Sequence, residues 1–477
     1  MRIIFIFLIC ISCYCNAENC SYKVKKVDNL KAHLSNKLTV NIPDNIKPNT
    51  SILVADSTTG LVKYSLNSDQ PRLIASNMKL FTSYFALSEL KPDFHWQTKL
   101  YYTGNVSNGV LYGNIYLVGG GDPTLDDKAI FKIFSILKQN GIKKIKGNVI
   151  LDSSIFNSIP RYSFLNTNPY DVDTILPSGL MINGEINHVI LTTSRQSVVI
   201  KSDVYGFEAI NNLKVNVAES ICSDLYNKIK IDKHLNKIIF SGTVSYNCNN
   251  RNLAYRLLSN FAYNRTIVYK VLNDFNITIY GDVISGALNI KMDHPKELYV
   301  YNSPSLEQVL ISMNKFSINL IAETLLLSIG AFKTSNQNTY LQGKDKFVNF
   351  LKQRHLLNNE TVVENGAGLS RYERFSVKNI IDLLQQVNNS PYRSEFIASL
   401  DIPGEEGWLK NRFTQYQDNV HAKTGTLNDT MALSGYFLTK NNKVYLFSIV
   451  FNCINILNRS QVNQINGIIL DIFKQIQ

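Results

Sequence analysis

The chain has 477 residues, 45% of them hydrophobic and 18% charged, with 25 Tyr and 24 Phe. That much apolar surface excludes a disordered chain, which cannot bury enough to offset its ordering entropy, and the length implies two to four domains at ~100–200 residues each. Lys and Arg number 49 against 37 Asp and Glu, a net charge of +12, but the charges are scattered. With no long run of one sign, the sequence lacks a nucleic-acid-binding tract, and no nucleic-acid partner is expected. Peripheral contact with a membrane surface or an acidic wall polymer, through the positive excess, stays open.

Arg2 precedes the apolar run Ile3 to Ile11 and then Ser12-Cys13-Tyr14-Cys15-Asn16-Ala17. A basic end, an apolar middle and a small residue before a cut read as an export signal over 1–17. The run is too short for the ~20 residues of a membrane-spanning helix. The mature chain is therefore expected in the periplasm, with secretion or a lipid anchor at Cys13 as alternatives. No later stretch reads as a span: Tyr445 to Leu457 is broken by Ser448 and Asn452 and reads as a buried strand.

Ser51 to Asp56 is a strand signal, Ser57-Thr58-Thr59-Gly60 a turn, and Leu61 to Tyr64 a return strand. From Ser76 to Leu90, the apolar residues Leu80, Phe81, Tyr84, Leu87 and Leu90 recur at spacings of three and four, the signature of a one-sided helix. Between about Trp96 and Tyr280, short strand-like runs alternate with turn residues, among them Gly109 to Leu117, Gly147 to Leu151, His188 to Thr193 and Ile238 to Ser245. Helical patterns resume at Leu306 to Met313 and Leu320 to Ile329. Strands Met431 to Leu438 and Val444 to Phe451 follow, then an apolar helix from Ile465 to Phe473. The expected organisation is a discontinuous α/β domain, 21–95 plus 290–477, interrupted by a mostly β insertion, 96–289, of two smaller domains.

Three of the seven cysteines fall in the leader. Cys222 and Cys248 bracket a hairpin-like segment and can pair in an oxidising compartment, or stay as two free thiols, since spacing does not fix connectivity. The seven histidines lie far apart with no pair at metal-ligand spacing, so neither metal nor cofactor is expected.

Three short stretches carry chemistry. Ser76 and Lys79 lie three apart at the start of the first helix, on one face. A serine hydroxyl becomes nucleophilic when a neighbouring base takes its proton, and a lysine can be that base where burial and nearby positive charge favour the neutral amine. Ser317-Ile318-Asn319 lies between two helical patterns and can point into a cleft. Lys423-Thr424-Gly425-Thr426 precedes a strand; its glycine permits close backbone approach, and its lysine and hydroxyls suit a carboxylate.

In this order, with about 240 and 100 residues between them, the three stretches resemble the penicillin-binding proteins. The long first gap is similar to that of the D-alanyl-D-alanine carboxypeptidase/endopeptidase family, the class C low-molecular-mass group. Gly120-Gly121-Asp122-Pro123-Thr124-Leu125 and Asn365-Gly366-Ala367-Gly368-Leu369-Ser370-Arg371 agree with it, and the likeness runs from about Ser51 to the C-terminus. The resemblance implies a serine DD-peptidase fold, an antiparallel sheet between helices, and an enzyme acting on peptidoglycan stem peptides and inhibited by β-lactams. It implies Ser76 as nucleophile, Lys79 as base, Ser317 as proton shuttle and Asn319 as holder of the acyl amide. Lys423 would support the proton network, with Thr424 and Thr426 binding the terminal carboxylate beside Gly425. Arg371 and Asp152 match family elements that would face the charged stem-peptide side chain. Two positions depart from the pattern: Ile318 replaces an Asp and Ala367 a Ser. A β-lactamase or esterase of the same fold, or a catalytically silent wall-binding scaffold, are the rival readings.

Overall fold

The computed structural model describes residues 37–158, 169–172, 175–333 and 338–477; the leader read at 1–17 and Cys20 lie outside them. Strands β1 (Thr50–Asp56) and β2 (Val62–Leu66) form the N-terminal hairpin. Its turn is fixed by Asp56, whose Oδ1 accepts the N–H groups of Thr58 and Thr59 at 2.9 Å each. Near the other end of the chain, β3 (Val420–Leu427), β4 (Thr430–Leu438) and β5 (Val444–Asn452) make a meander. The two pieces join in one antiparallel sheet of order β3-β4-β5-β1-β2, with Thr50 opposite Phe451 and Asp56 opposite Tyr445.

Both faces of this sheet are covered, which is why its strands are apolar almost throughout rather than alternating. Leu53, Ala55, Ala432, Tyr436, Leu446 and Val450 point to one core. Their neighbours Ile52, Val54, Leu433, Phe437, Phe447 and Ile449 point to the other, as a two-residue period requires. Helices α1 (Met78–Leu90), α2 (Leu306–Lys315), α3 (Asn319–Lys333), α4 (Thr339–Gln353) and α5 (Val377–Asn388) contribute to the first core. Helix α6 (Arg459–Ile476) covers the second with Ile465, Ile468, Ile469, Ile472 and Phe473.

The intervening segment leaves along Gln97–Tyr102 and returns along Lys296–Asn302, and these two strands pair antiparallel in a mixed five-stranded sheet. Lys296–Asn302, expected with the C-terminal half, is thus built into the insertion's sheet. The insertion is also less purely β than its turn-rich sequence implies: helices Asp127–Gln139 and Asn260–Asp274 pack into its core through Ile130, Ile133, Phe134, Val268 and Leu272. Cys222 and Cys248 are disulfide-bonded, with Cα atoms 5.0 Å apart, across the hairpin Ile229–His234 and Lys237–Ser245. Among the described residues, no helix is long and apolar enough to cross a membrane.

Candidate active site

The chain enters α1 through a 3-10 turn, Ala75–Asn77, so Ser76 lies just ahead of the α-helix rather than in its first turn. Ala75 has φ 47°, a left-handed conformation uncommon outside glycine. The turn is pressed from one side by Gly368 (φ 84°), where a Cβ would lie 2.0 Å from the Ala75 carbonyl oxygen. Gly425 approaches from the other, where a Cβ would lie 2.7 Å from the Ile74 oxygen and 2.9 Å from Asn77 Nδ2. At Gly368 the space is filled by backbone alone, and at Gly425 by the Ile74 carbonyl together with the Asn77 and Ala432 side chains.

This packing sets the nucleophile's surroundings. Lys79 is fully buried, and its Nζ donates to Ser76 Oγ at 3.0 Å, Asn319 Oδ1 at 2.7 Å and the Ala367 carbonyl at 2.7 Å. The Ala367 carbonyl is aimed by its own loop: Asn365 Oδ1 accepts the N–H groups of Ala367 and Gly368 at 3.0 and 2.9 Å. Lys423, also fully buried, donates to Ser317 Oγ at 3.0 Å and to the Thr424 carbonyl at 2.9 Å. Asn77 ties the Lys423 backbone to the nucleophile's turn, its Nδ2 donating to the Lys423 carbonyl at 3.2 Å. Burial, and then the positive charge of Lys79, push the Lys423 ammonium well below the ordinary lysine range, against the opposing pull of Asp401. Two cations in one buried site disfavour each other, so the arrangement favours a neutral amine beside a serine hydroxyl.

These groups open on a cleft of about 1140 Å³. Ser76, Ser317, Asn319, Thr424 and Thr426 line it, while Lys79, Lys423 and Gly425 form its buried backing. Ile318 also lines the cleft and packs against the sheet's core, an apolar contact where an Asp would carry charge. Arg371 lines the cleft too, but its guanidinium is engaged by both carboxylate oxygens of Asp429, which holds that carboxyl below the usual range. Asp152 is a correction. It is 3% exposed in the insertion's sheet, and its two oxygens accept the N–H groups of Ser154 and Leu288 at 2.8 and 2.7 Å. Both oxygens brace backbone, and the residue does not line the cleft.

Ala367, Asp401, Trp408 and Asp429 also belong to the site or its support, although sequence reasoning gave them no role there. Ala367 acts through its backbone, which no side-chain pattern reports. Trp408, one of two tryptophans in the chain and preceded by a glycine, offered the clearest overlooked signal.

Residues 31–470 match the model of a family described as D-Ala-D-Ala carboxypeptidase 3 (S13). The chain is 27% identical over 419 residues to a D-alanyl-D-alanine carboxypeptidase of Actinomadura sp., covering 84% of this chain and 77% of that one. It is 24% identical over 420 residues to the D-alanyl-D-alanine carboxypeptidase DacB of Haemophilus influenzae, covering 84% and 87%. In three dimensions, it is similar to penicillin binding protein 4 of Haemophilus influenzae, with a TM-score of 0.77, 21% identity and coverage of 91% and 97%. A predatory peptidoglycan endopeptidase of Bdellovibrio bacteriovorus shares the fold more distantly, with a TM-score of 0.51, 16% identity and coverage of 92% and 94%.

Proposed function

The chain belongs to the D-Ala-D-Ala carboxypeptidase 3 (S13) family and is a serine-type D-Ala-D-Ala carboxypeptidase; we propose that it is exported and cleaves peptidoglycan stem peptides through an acyl-enzyme on Ser76. In this reading, Lys79 acts as the base that takes the Ser76 proton as Oγ attacks the carbonyl carbon of the penultimate D-alanine. The oxyanion that develops faces the backbone N–H groups of Ser76 and Thr426, donors already fixed before the reaction starts. Collapse breaks the C–N bond, and the proton passes through Ser317 to the departing D-alanine amine. Water then attacks the ester and frees Ser76. Asn319 holds the acyl amide, and Thr424 and Thr426, with Lys423 behind them, receive the terminal carboxylate. Arg371 faces the stem-peptide side chain.

The carrying observation is a pair of hydrogen-bonded groups behind one cleft, in which Lys79 touches both Ser76 and Asn319 while Lys423 touches Ser317. Both ends of the chain, 21–95 and 290–477, form the catalytic unit in this reading, and 96–289 an accessory unit. The periplasm is the proposed compartment, where the net charge of +12 suits an acidic wall polymer. β-Lactams, as cyclic amides that imitate the D-Ala-D-Ala bond, would acylate the same serine. A fluorescent penicillin should label the protein stably and should not label Ser76→Ala, and the parent should release D-alanine from a stem pentapeptide. Label in Ser76→Ala would identify another nucleophile. Rapid loss of label would favour a β-lactamase, and label without D-alanine release a silent scaffold.

A further inference from the structure

A strap, residues 401–409, ties the edge strand β3 to the turn that carries Ser317. At one end, the Asp401 backbone pairs in both directions with Ala422, one residue before Lys423, at 3.0 and 2.9 Å. The Asp401 carboxylate closes the strap on itself: Oδ1 accepts the Ile402 N–H at 2.9 Å and Oδ2 the Leu409 N–H at 2.7 Å. Gly407 (φ 112°) makes that closure possible, because a Cβ there would sit 2.4 Å from Asp401 Oδ1. The strap presents Trp408 at the cleft wall. The residue is 63% exposed, yet its indole Nε1 donates to the Phe316 carbonyl at 3.0 Å. That carbonyl belongs to the peptide bond leading into Ser317, whose φ of 58° is a conformation that non-glycine residues hold only when their surroundings fix it. Lys315, at the end of α2, adds a second tether to the strap through Glu405 at 3.4 Å.

We propose that Trp408 is a positioning residue: by holding the Phe316 carbonyl, its indole N–H keeps the Ser317 hydroxyl beside Lys423, aligned to hand a proton to the departing amine. The inference rests on the proton-shuttle reading of Ser317 given above. Its chemical consequence is specific. An amide C–N bond breaks only as its nitrogen gains a proton, whereas a thioester expels a thiolate that needs none. Trp408 therefore matters for amide substrates and hardly at all for thioesters of the same acyl group.

Trp408→Phe removes the N–H and keeps an aromatic ring. Its kcat/KM should fall about tenfold on an acyl-D-Ala-D-Ala peptide, the worth of one hydrogen bond, and by less than about twofold on the matched thioester. Ser317→Ala should show the same split more strongly, and the double variant should be no slower than Ser317→Ala alone, because both changes act on one step. Gly407→Ala, which drives a methyl group into Asp401 and leaves the Trp408 side chain intact, should reproduce the split. Equal losses on both substrates, or losses that multiply in the double variant, would overturn the proposal for Trp408 while leaving the shuttle role of Ser317 standing. Should Ser317→Ala itself treat amide and thioester alike, the shuttle reading fails, and the assignment of Trp408 fails with it.

Discussion

Gly368→Ala tests whether the nucleophile's turn is held by packing. The added methyl would lie 2.0 Å from the Ala75 oxygen, 2.5 Å from its carbonyl carbon and 3.0 Å from the Ser76 nitrogen. Since real contacts of this kind stay beyond 3.0 Å, the two backbones must part by at least about 1 Å. Neither side yields easily, because Ala75 is already at φ 47° and the opposing loop is pinned through Asn365. Placing alanine at positive φ costs roughly 1–2 kcal/mol and overpacking about 1–3 kcal/mol. A total near 3 kcal/mol lowers the melting temperature by roughly 3–5 °C in a chain of this size. The displacement falls on the Ser76 N–H and on the loop that supplies the Ala367 carbonyl to Lys79. A misplacement of this size costs on the order of 10²-fold in rate.

The assay is the second-order rate of acylation by a fluorescent penicillin, measured well below the melting temperature and set beside a thermal melt. Gly60→Ala is the internal control: Gly60 has φ 69° but nothing within 4 Å of an added Cβ. It should therefore show the conformational cost alone and acylate at the parental rate. If Gly368→Ala also acylates at the parental rate, the loop has moved away from Ser76 instead of displacing it, and the account of Gly368 is wrong.

Two other substitutions probe charges near the site. Glu373 is 2% exposed, and burial, reinforced by the negative charges of Glu323 and Glu364, pushes its carboxyl from 4.5 up to about 8. A raised value means that the folded state binds the extra proton between those limits, so the stability it contributes is complete below 4.5 and is lost as the pH climbs to about 8. Glu373→Gln cannot ionise, so its stability relative to the parent should rise by about 1.4 kcal/mol per pH unit across that window and then level off; parallel curves in denaturant titrations would refute this. Asp429→Asn should release Arg371 as a free cation on the cleft wall. Because Arg371 is half exposed, the gain is about 1 kcal/mol or less, read as an up to roughly fivefold rise in kcat/KM for an acidic stem-peptide side chain over a neutral one. The gain should fade with added salt, and an unchanged ratio would show that Arg371 does not meet that side chain.

What the sequence revealed and what it hid follow a physical division. Strands such as Met431 to Leu438 were legible because both of their faces are buried, leaving a run of apolar residues bounded by turns. The helix beginning at Asp127 was not, although Ala129, Ile130, Ile133, Phe134 and Leu137 carry a helical period and Asp126 caps it by accepting the Ala129 N–H at 2.7 Å. The turn-rich segments on either side dominated the reading. At the site, Ser76, Lys79, Ser317, Asn319 and Lys423 could be named because their side chains define short motifs, and they meet around one cleft. Asp152 could be named in the same way, but its two oxygens are consumed by backbone N–H groups that only the fold brings to it. The Ala367 carbonyl and the strap behind Trp408 depend on backbone geometry, which many sequences could supply.

The insertion bears on how such distant parts meet at all. Helices α1 and α2, joined through some 215 residues of chain, pack together, and the turn after α2 brings Ser317 to Lys423. Closing a flexible loop of that length carries an entropic cost that grows with its logarithm. Here the closure is local, because the outgoing and returning strands pair: Gln97 lies opposite Asn302, and Trp96 exchanges hydrogen bonds with Ser303 through its N–H to Oγ at 3.0 Å and its carbonyl to N–H at 2.9 Å. Once the insertion has folded around its own core, α1 and α2 are neighbours a few residues on either side of that pair. The remaining long-range step is the docking of β5 against β1, which carries β3 and Lys423 to the nucleophile. The insertion thus stands in for a short connection, and a lysine nearly 350 residues from Ser76 in sequence can still belong to the same site.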